Sequence, residues 1–77
     1  MSKTYLVKRK DFNNKIGALQ TYLTYAGEVL TSGAIKADKG QYIGFSVWTD
    51  SDYVEIFIDT DDKAKFITEN FSGRWAE

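Results

Sequence analysis

The spacing of hydrophobic residues changes part-way along the chain. From Phe12 to Leu30 they recur in steps of four and three, at Phe12, Ile16, Leu19, Leu23, Ala26 and Leu30. That spacing lines one face of a helix. Asp11 or Asn13 offers an N-cap oxygen, and Gly33 would end the helix in the left-handed conformation. The pattern therefore predicts a first helix over residues 12–32.

A second interpretation of the same segment stays open. Gly17 and Gly27 each cost a helix about 1 kcal/mol relative to alanine. Residues 18–25 (ALQTYLTY) also alternate tolerably between apolar and polar positions, and they are rich in threonine and tyrosine, which favour strands. Residues 15–31 could therefore form strands instead of a helix.

Further strands are predicted on either side of this segment. Residues 3–9 (KTYLVKR) have the composition of a first strand, and residues 34–37 (AIKA) form a short one. Asp38, Lys39 and Gly40 make a tight turn in which Gly40 takes a positive φ. Residues 41–48 and 53–59 then form two strands, because both alternate with the two-residue period of a half-buried strand.

The alternation also predicts how strands 41–48 and 53–59 pair. Placing Trp48 opposite Tyr53 puts both aliphatic sets on one face of the sheet, as the pairs Ile43–Ile58, Phe45–Ile56 and Val47–Val54. Gly44 then lies opposite Phe57, whose ring can cover the bare glycine backbone. A one-residue slip would turn one of the two sets away from the core.

A second helix is predicted after these strands. Thr60 is its N-cap, and the two acids of its first turn, Asp61 and Asp62, suit the positive end of the helix dipole. The buried stripe consists of Ala64, Ile67 and Phe71. Gly73 ends the helix, and Trp75 folds back onto its end.

The predicted fold is a single α+β domain over residues 1–77. It has a three- to four-stranded, mainly antiparallel sheet with both helices on one face, in the order β-α-β-β-β-α. With 77 residues, 43% of them hydrophobic, the chain is long enough for one small core. The absence of cysteine fits a reducing compartment. We expect a cytoplasmic protein, because we find neither a membrane-length apolar run nor a secretory signal.

Composition narrows the possible chemistry. The chain has no histidine and no cysteine, so zinc, haem and iron–sulfur sites lack their usual ligands, and the common nucleophile–base pairs cannot be built. Asp50 and Asp52 are typical turn residues, and Asp61 and Asp62 are typical of a first helical turn. Glycine spacing matches no phosphate-binding loop. We therefore expect no enzymatic activity, no metal and no cofactor.

The opposite face of the predicted sheet carries the leading functional hypothesis. If both helices cover the aliphatic side, four aromatic residues face the other way with nothing left to cover them: Tyr42, Trp48, Tyr53 and Phe57. Exposed aromatic patches with polar rims commonly bind proteins. The predicted function is a small regulator, such as an inhibitor, an antitoxin-like factor or a phage accessory protein, that binds another protein or its own copy.

Nucleic-acid binding, most naturally of RNA, is the alternative. The net charge is only −1, but the basic residues are uneven along the chain. Five lie in the first 15 positions: Lys3, Lys8, Arg9, Lys10 and Lys15. A basic patch on the N-terminal strand could contact phosphates even when the total charge is near neutral.

Overall fold

Six antiparallel strands and two helices make up the protein in the computed structural model, which describes residues 2–76. In chain order they are β1 (Lys3–Lys8), α1 (Arg9–Ile16), β2 (Thr21–Ala26), β3 (Leu30–Lys36), β4 (Tyr42–Trp48), β5 (Tyr53–Ile58), α2 (Asp61–Asn70) and β6 (Arg74–Trp75). The strands form one sheet in the order β2-β3-β4-β5-β1-β6. The α+β class is confirmed, whereas the predicted count of three to four strands was too low.

The predicted long first helix is wrong. The strand alternative is correct from Thr21 onward, whereas Lys15 and Ile16 belong to α1. α1 has only eight residues and follows Lys8 without a side-chain cap, so neither Asp11 nor Asn13 is the N-cap. Tight backbone bonds from Ala18 to Lys15 and from Leu19 to Ile16 close the helix end. The chain then enters the β2–β3 hairpin. Threonine and tyrosine preferences, together with the cost of two glycines, outweigh the helical spacing here.

Gly33 lies in the middle of β3 instead of ending a helix. It is paired with Leu23 on one side and Phe45 on the other. A Cβ added at Gly33 would collide with the Tyr22 carbonyl oxygen and would stand 2.8 Å from the Phe45 ring. Glycine is therefore required for the hairpin and the Phe45 ring to approach this closely.

The predicted register of the central strands and the turn before them are confirmed, although β4 begins at Tyr42 and β5 ends at Ile58, each strand one residue shorter than predicted. β4 and β5 pair Phe45 with Ile56 and Val47 with Val54, as the alternation required. The Phe57 ring lies 3.7 Å from where a Gly44 Cβ would be, so it does cover the glycine backbone. Gly40 has a φ of +73° in the turn before β4. β1 completes the centre of the sheet by pairing with the free side of β5.

The two helices cover one face of the sheet, termed the inner face. Phe12 of α1 joins the layers, because its ring centroid lies 5.2 Å from that of Phe45 and 5.5 Å from that of Phe71. The buried core consists of Tyr5, Val7, Phe12, Ile35, Ala37, Ile43, Phe45, Val54, Ile56, Ile58, Ile67 and Phe71. Predicted stripe residues Ile67 and Phe71 belong to it, and Ala64 packs against it half-buried.

The second helix begins as predicted but ends differently. The Thr60 hydroxyl accepts a hydrogen bond from the Lys63 amide at 3.3 Å. The helix stops at Asn70, not at Gly73, because Phe71 already has extended backbone angles. Trp75 does not fold onto the helix end. It pairs with Tyr5 as part of β6, and their rings meet edge to face at 4.8 Å.

The close contact at Gly33 gives a direct test of the hairpin. Gly33→Ala should destabilise the fold by about 2 kcal/mol, because the added methyl group must displace a backbone carbonyl and a core ring. Gly44→Ala is the matched control in the neighbouring strand, where an added Cβ makes only ordinary contacts. Urea unfolding of both variants measures the difference. Equal stability of the two would contradict the tight approach at Gly33.

Candidate functional site

The outer face of the sheet, opposite the helices, has no covering element within residues 2–76. Three of the four predicted aromatic residues are exposed there: Tyr42 by 51%, Trp48 by 40% and Phe57 by 45%. Tyr53 is half-buried beside them on β5. All four side chains lie on this one face, because Tyr42 and Trp48 alternate with the buried residues of β4, and Tyr53 and Phe57 with those of β5.

Two further tyrosines belong to this face, and the sequence interpretation missed them. Tyr22 pairs with Ala34, and Tyr25 pairs with Ser32, so both rings project on the outer side of the sheet. The Tyr22 ring meets the Tyr42 ring edge to face at 5.8 Å. We call Tyr22, Tyr25, Tyr42, Trp48, Tyr53 and Phe57 the aromatic face. The strand preference of residues 21–25 was the signal that could have extended it.

Trp48 is held in place by its neighbours. Its indole Nε1 donates a hydrogen bond to Glu55 Oε1 at 2.9 Å, across to β5. The Arg9 guanidinium donates to the carbonyl oxygens of Trp48 and Thr49, at 3.3 Å each, and so ties the end of β4 to the start of α1. A large ring fixed in this way loses little conformational entropy when it is buried against a partner.

Small residues lie between the rings of the aromatic face. The pairing of β3 with β4 places Ala34 beside Gly44 and Ser32 beside Ser46. The two serine hydroxyls are 3.4 Å apart, within hydrogen-bonding distance. The centre of the outer face therefore carries small side chains, with aromatic rings on either side and the Phe57 ring over Gly44.

Negative charge lies within the aromatic face and at its margin. Glu55 is within the face, bonded to Trp48. Asp59 follows the end of β5, and its Oδ1 lies 2.9 Å from Lys63 Nζ of α2. The hydrogen bond from Lys63 lowers the pKa of the Asp59 carboxyl, and charge attraction to the same lysine adds to the effect. Asp59 is therefore ionised at neutral pH.

The five basic residues of the alternative hypothesis do not form one patch. Lys3 is at the opposite end of β1 from Lys8, and its Nζ lies 5.7 Å above the Trp75 ring. Lys15 is in the last turn of α1. Lys8, Arg9 and Lys10 stay together and line a depression with Asp52 and Tyr53.

Arg74 joins this basic corner, although the sequence interpretation did not include it. Its guanidinium carbon lies 5.3 Å from the centre of the Tyr53 ring, a cation–π distance. The depression next to the first one is lined by Arg74, Lys8 and Tyr53 among others. We call Lys8, Arg9, Lys10, Arg74 and Tyr53 the basic corner. It is located at one end of the aromatic face.

Neither a metal site, nor a membrane-spanning helix, nor a match to a known protein adds to these surfaces within residues 2–76. In residues 2–76, no three acidic side chains come together in a way that could hold a metal ion. No helix in that part of the chain has the length and apolar character needed to cross a membrane. The chain matches no protein-family model, no curated protein and no solved structure.

Neighbouring residues of β5 test which face is covered. Ile56 is fully buried on the inner face, whereas Phe57 is 45% exposed on the outer face. We expect Ile56→Ala to lower the free energy of unfolding by about 3 kcal/mol. Phe57→Ala should lower it by only about 1 kcal/mol, because the Phe57 side chain is only partly buried. Chemical denaturation of both variants measures this. Equal costs would mean that the outer face is buried.

Proposed function

We propose that this protein is a non-enzymatic regulator that binds another protein through the aromatic face. An inhibitor or antitoxin-like accessory factor, of the kind phages encode, fits this mode of action. The observation that carries the proposal is the set of large rings on a sheet face that no element of residues 2–76 covers. Tyr22, Tyr25, Tyr42, Trp48 and Phe57 are all exposed there.

Exposed aromatic rings contribute favourable free energy to binding when a partner covers them. Each ring keeps a large apolar area in contact with water, and covering that area is favourable by roughly 25 cal/mol per Å². Trp and Tyr are also the residues most enriched among binding hot spots. The rings stand on strands, so their positions are fixed before a partner arrives, which lowers the entropy cost of binding.

The charges on the aromatic face favour a protein over a nucleic acid as its partner. Glu55 lies at the centre of the face, bonded to Trp48, and would repel a phosphate group that crosses there. Lys36 beside Tyr42 and the Asp59–Lys63 pair lie at its margin. A polypeptide lacks the uniform negative charge of a phosphate backbone. Its apolar side chains can pack against the exposed rings, and its polar groups can bond to Glu55 and to the serine hydroxyls.

Trp48→Ala tests the proposal. We expect the variant to keep its fold, because Trp48 is partly exposed, and to lose a host protein that the wild type retains in quantitative affinity capture. Phe57→Ala should lose the same protein. Leu23→Ser is the control, because Leu23 is 66% exposed but points to the inner face of the sheet, opposite the aromatic face. Retention of the partner by Trp48→Ala and Phe57→Ala, or its loss from Leu23→Ser, would contradict the proposal.

RNA binding is the second candidate, and the basic corner is the observation that favours it. Lys8, Lys10 and Arg74 bring positive charge beside the Tyr53 ring, on which a base could stack. This site is local, because Lys3 lies at the far end of β1. It would hold a short single-stranded segment and not a long duplex.

Salt dependence distinguishes this second candidate. Fluorescence anisotropy with labelled single-stranded RNA should show affinity that falls steeply between low and moderate salt if phosphates are bound. The double variant Lys8→Ala/Lys10→Ala should abolish binding. Lys36→Ala/Lys39→Ala removes the same charge away from the basic corner and should retain it. Absence of binding at low salt eliminates this candidate. Equal losses of RNA affinity in the two double variants would mean that RNA is attracted by the overall positive charge and not bound at the basic corner.

A further inference from the structure

The β2 strand forms an open edge of the sheet. It pairs with β3 on one side only, and it is first in the strand order. Three apolar or aromatic side chains of β2 are exposed, namely Tyr22, Leu23 and Tyr25, and so is Val29 in the turn that follows. Leu23 is 66% exposed although it points to the inner face, because the helices do not extend over β2. An edge of this kind is a template for another strand.

Backbone groups along this edge are placed to accept a strand. Lys36 donates a backbone hydrogen bond to the Gln20 carbonyl at 2.8 Å, so position 20 bonds inward to β3. Bonding alternates along an antiparallel strand. Thr21 and Leu23 therefore direct their backbone N–H and C=O groups to the open side, one on each side of Tyr22. A partner strand that offers the same spacing would satisfy all of them.

The edge carries no charge that would repel its own copy. Between residues 17 and 35 the only charged residue is Glu28, at the tip of the hairpin. β2 has neither a lysine nor a proline, two residues that commonly protect edges against pairing. One protective feature is present, since the register shifts between Leu23 and Tyr25. That bulge limits the regular edge to the stretch from Gln20 to Leu23.

We propose that two copies of this chain pair through β2, antiparallel and centred on Tyr22. The two-fold axis then places Thr21 opposite Leu23 of the partner subunit, twice, and each of those pairs exchanges both backbone hydrogen bonds. The two Tyr22 rings meet on the outer face. The exposed Leu23 side chains are covered on the inner face, against Thr21 of the other copy.

This pairing differs from binding through the aromatic face and does not depend on it. A two-fold axis normal to the sheet keeps the outer faces of both copies on the same side. The aromatic rings of the two copies would then form one continuous surface across twelve strands, twice the six of a single sheet. Dimerisation at the edge therefore uses only Tyr22 of the aromatic face and leaves its other five rings free for another protein.

Single cysteines test the register, because the natural chain has none. In a pair centred on Tyr22, that position faces itself without backbone hydrogen bonds, at a Cα separation of about 4.5 Å, which suits a disulfide. Tyr22→Cys should give a covalent dimer under mild oxidation. Tyr25→Cys and Val29→Cys are the controls in the same hairpin and should cross-link far more slowly. Equal rates at the three positions, or no dimer from Tyr22→Cys, would overturn the proposal.

Association without cross-linking is the second arm of the test. Sedimentation of the wild type should show a dimer that dissociates on dilution. Thr21→Pro removes one outward N–H and leaves the bonds to β3 intact, so it should be a folded monomer by circular dichroism and sedimentation. Leu23→Lys should also be monomeric, whereas Val29→Lys, with the same charge at the hairpin tip, should dimerise. A wild type that is monomeric at all concentrations refutes the pairing, as does a dimer abolished by Trp48→Ala and unaffected by Thr21→Pro.

Discussion

The contact between the Phe45 ring and the bare backbone of Gly33 is the constraint on which the rest of the structure depends. Phe45 also packs against Phe12, and Phe12 packs against Phe71, so one line of aromatic contacts connects the edge hairpin, the centre of the sheet and both helices. Any side chain at position 33 would separate β3 from this line. In a chain without disulfides, where a small core leaves a narrow margin of stability, that continuity holds the fold together.

Placing both helices on one face determines what the other face can be. Tyr5, Val7 and Ile56 are covered, and the residues that alternate with them are not. An open sheet that is covered on one side by only two helices leaves its second face exposed to solvent. In this protein that face carries aromatic rings where polar residues would usually stand. Glu55 and the hydroxyls of Ser32 and Ser46 are among the polar groups of this face. Glu55 fixes the Trp48 ring, and the two hydroxyls lie within hydrogen-bonding distance of each other.

The sequence predicted well where burial and local preference agreed. The β4–β5 register followed from the alternation around Phe45 and Ile56, and Thr60 was identified as a cap from its position before two acids. The first helix failed where the two disagreed. The helical spacing of Leu23 and Leu30 suggested a buried stripe, but Leu23 is 66% exposed, the highest value among the large hydrophobic residues of 2–76. The positions of β1 and β6 depend on distant pairing, which no local pattern encodes. For the same reason Arg74 was not recognised beside Tyr53.

The two edges of the sheet are unequal, and this determines how far any assembly could grow. At one edge, β2 offers a regular stretch that ends at the bulge. At the other, β6 is only two residues long, and the charged Arg74 and Lys3 flank Trp75 there. Once two β2 strands have met, neither copy has another long edge to offer a third. The sheet would therefore close as a finite, two-fold object and would not propagate as a fibre.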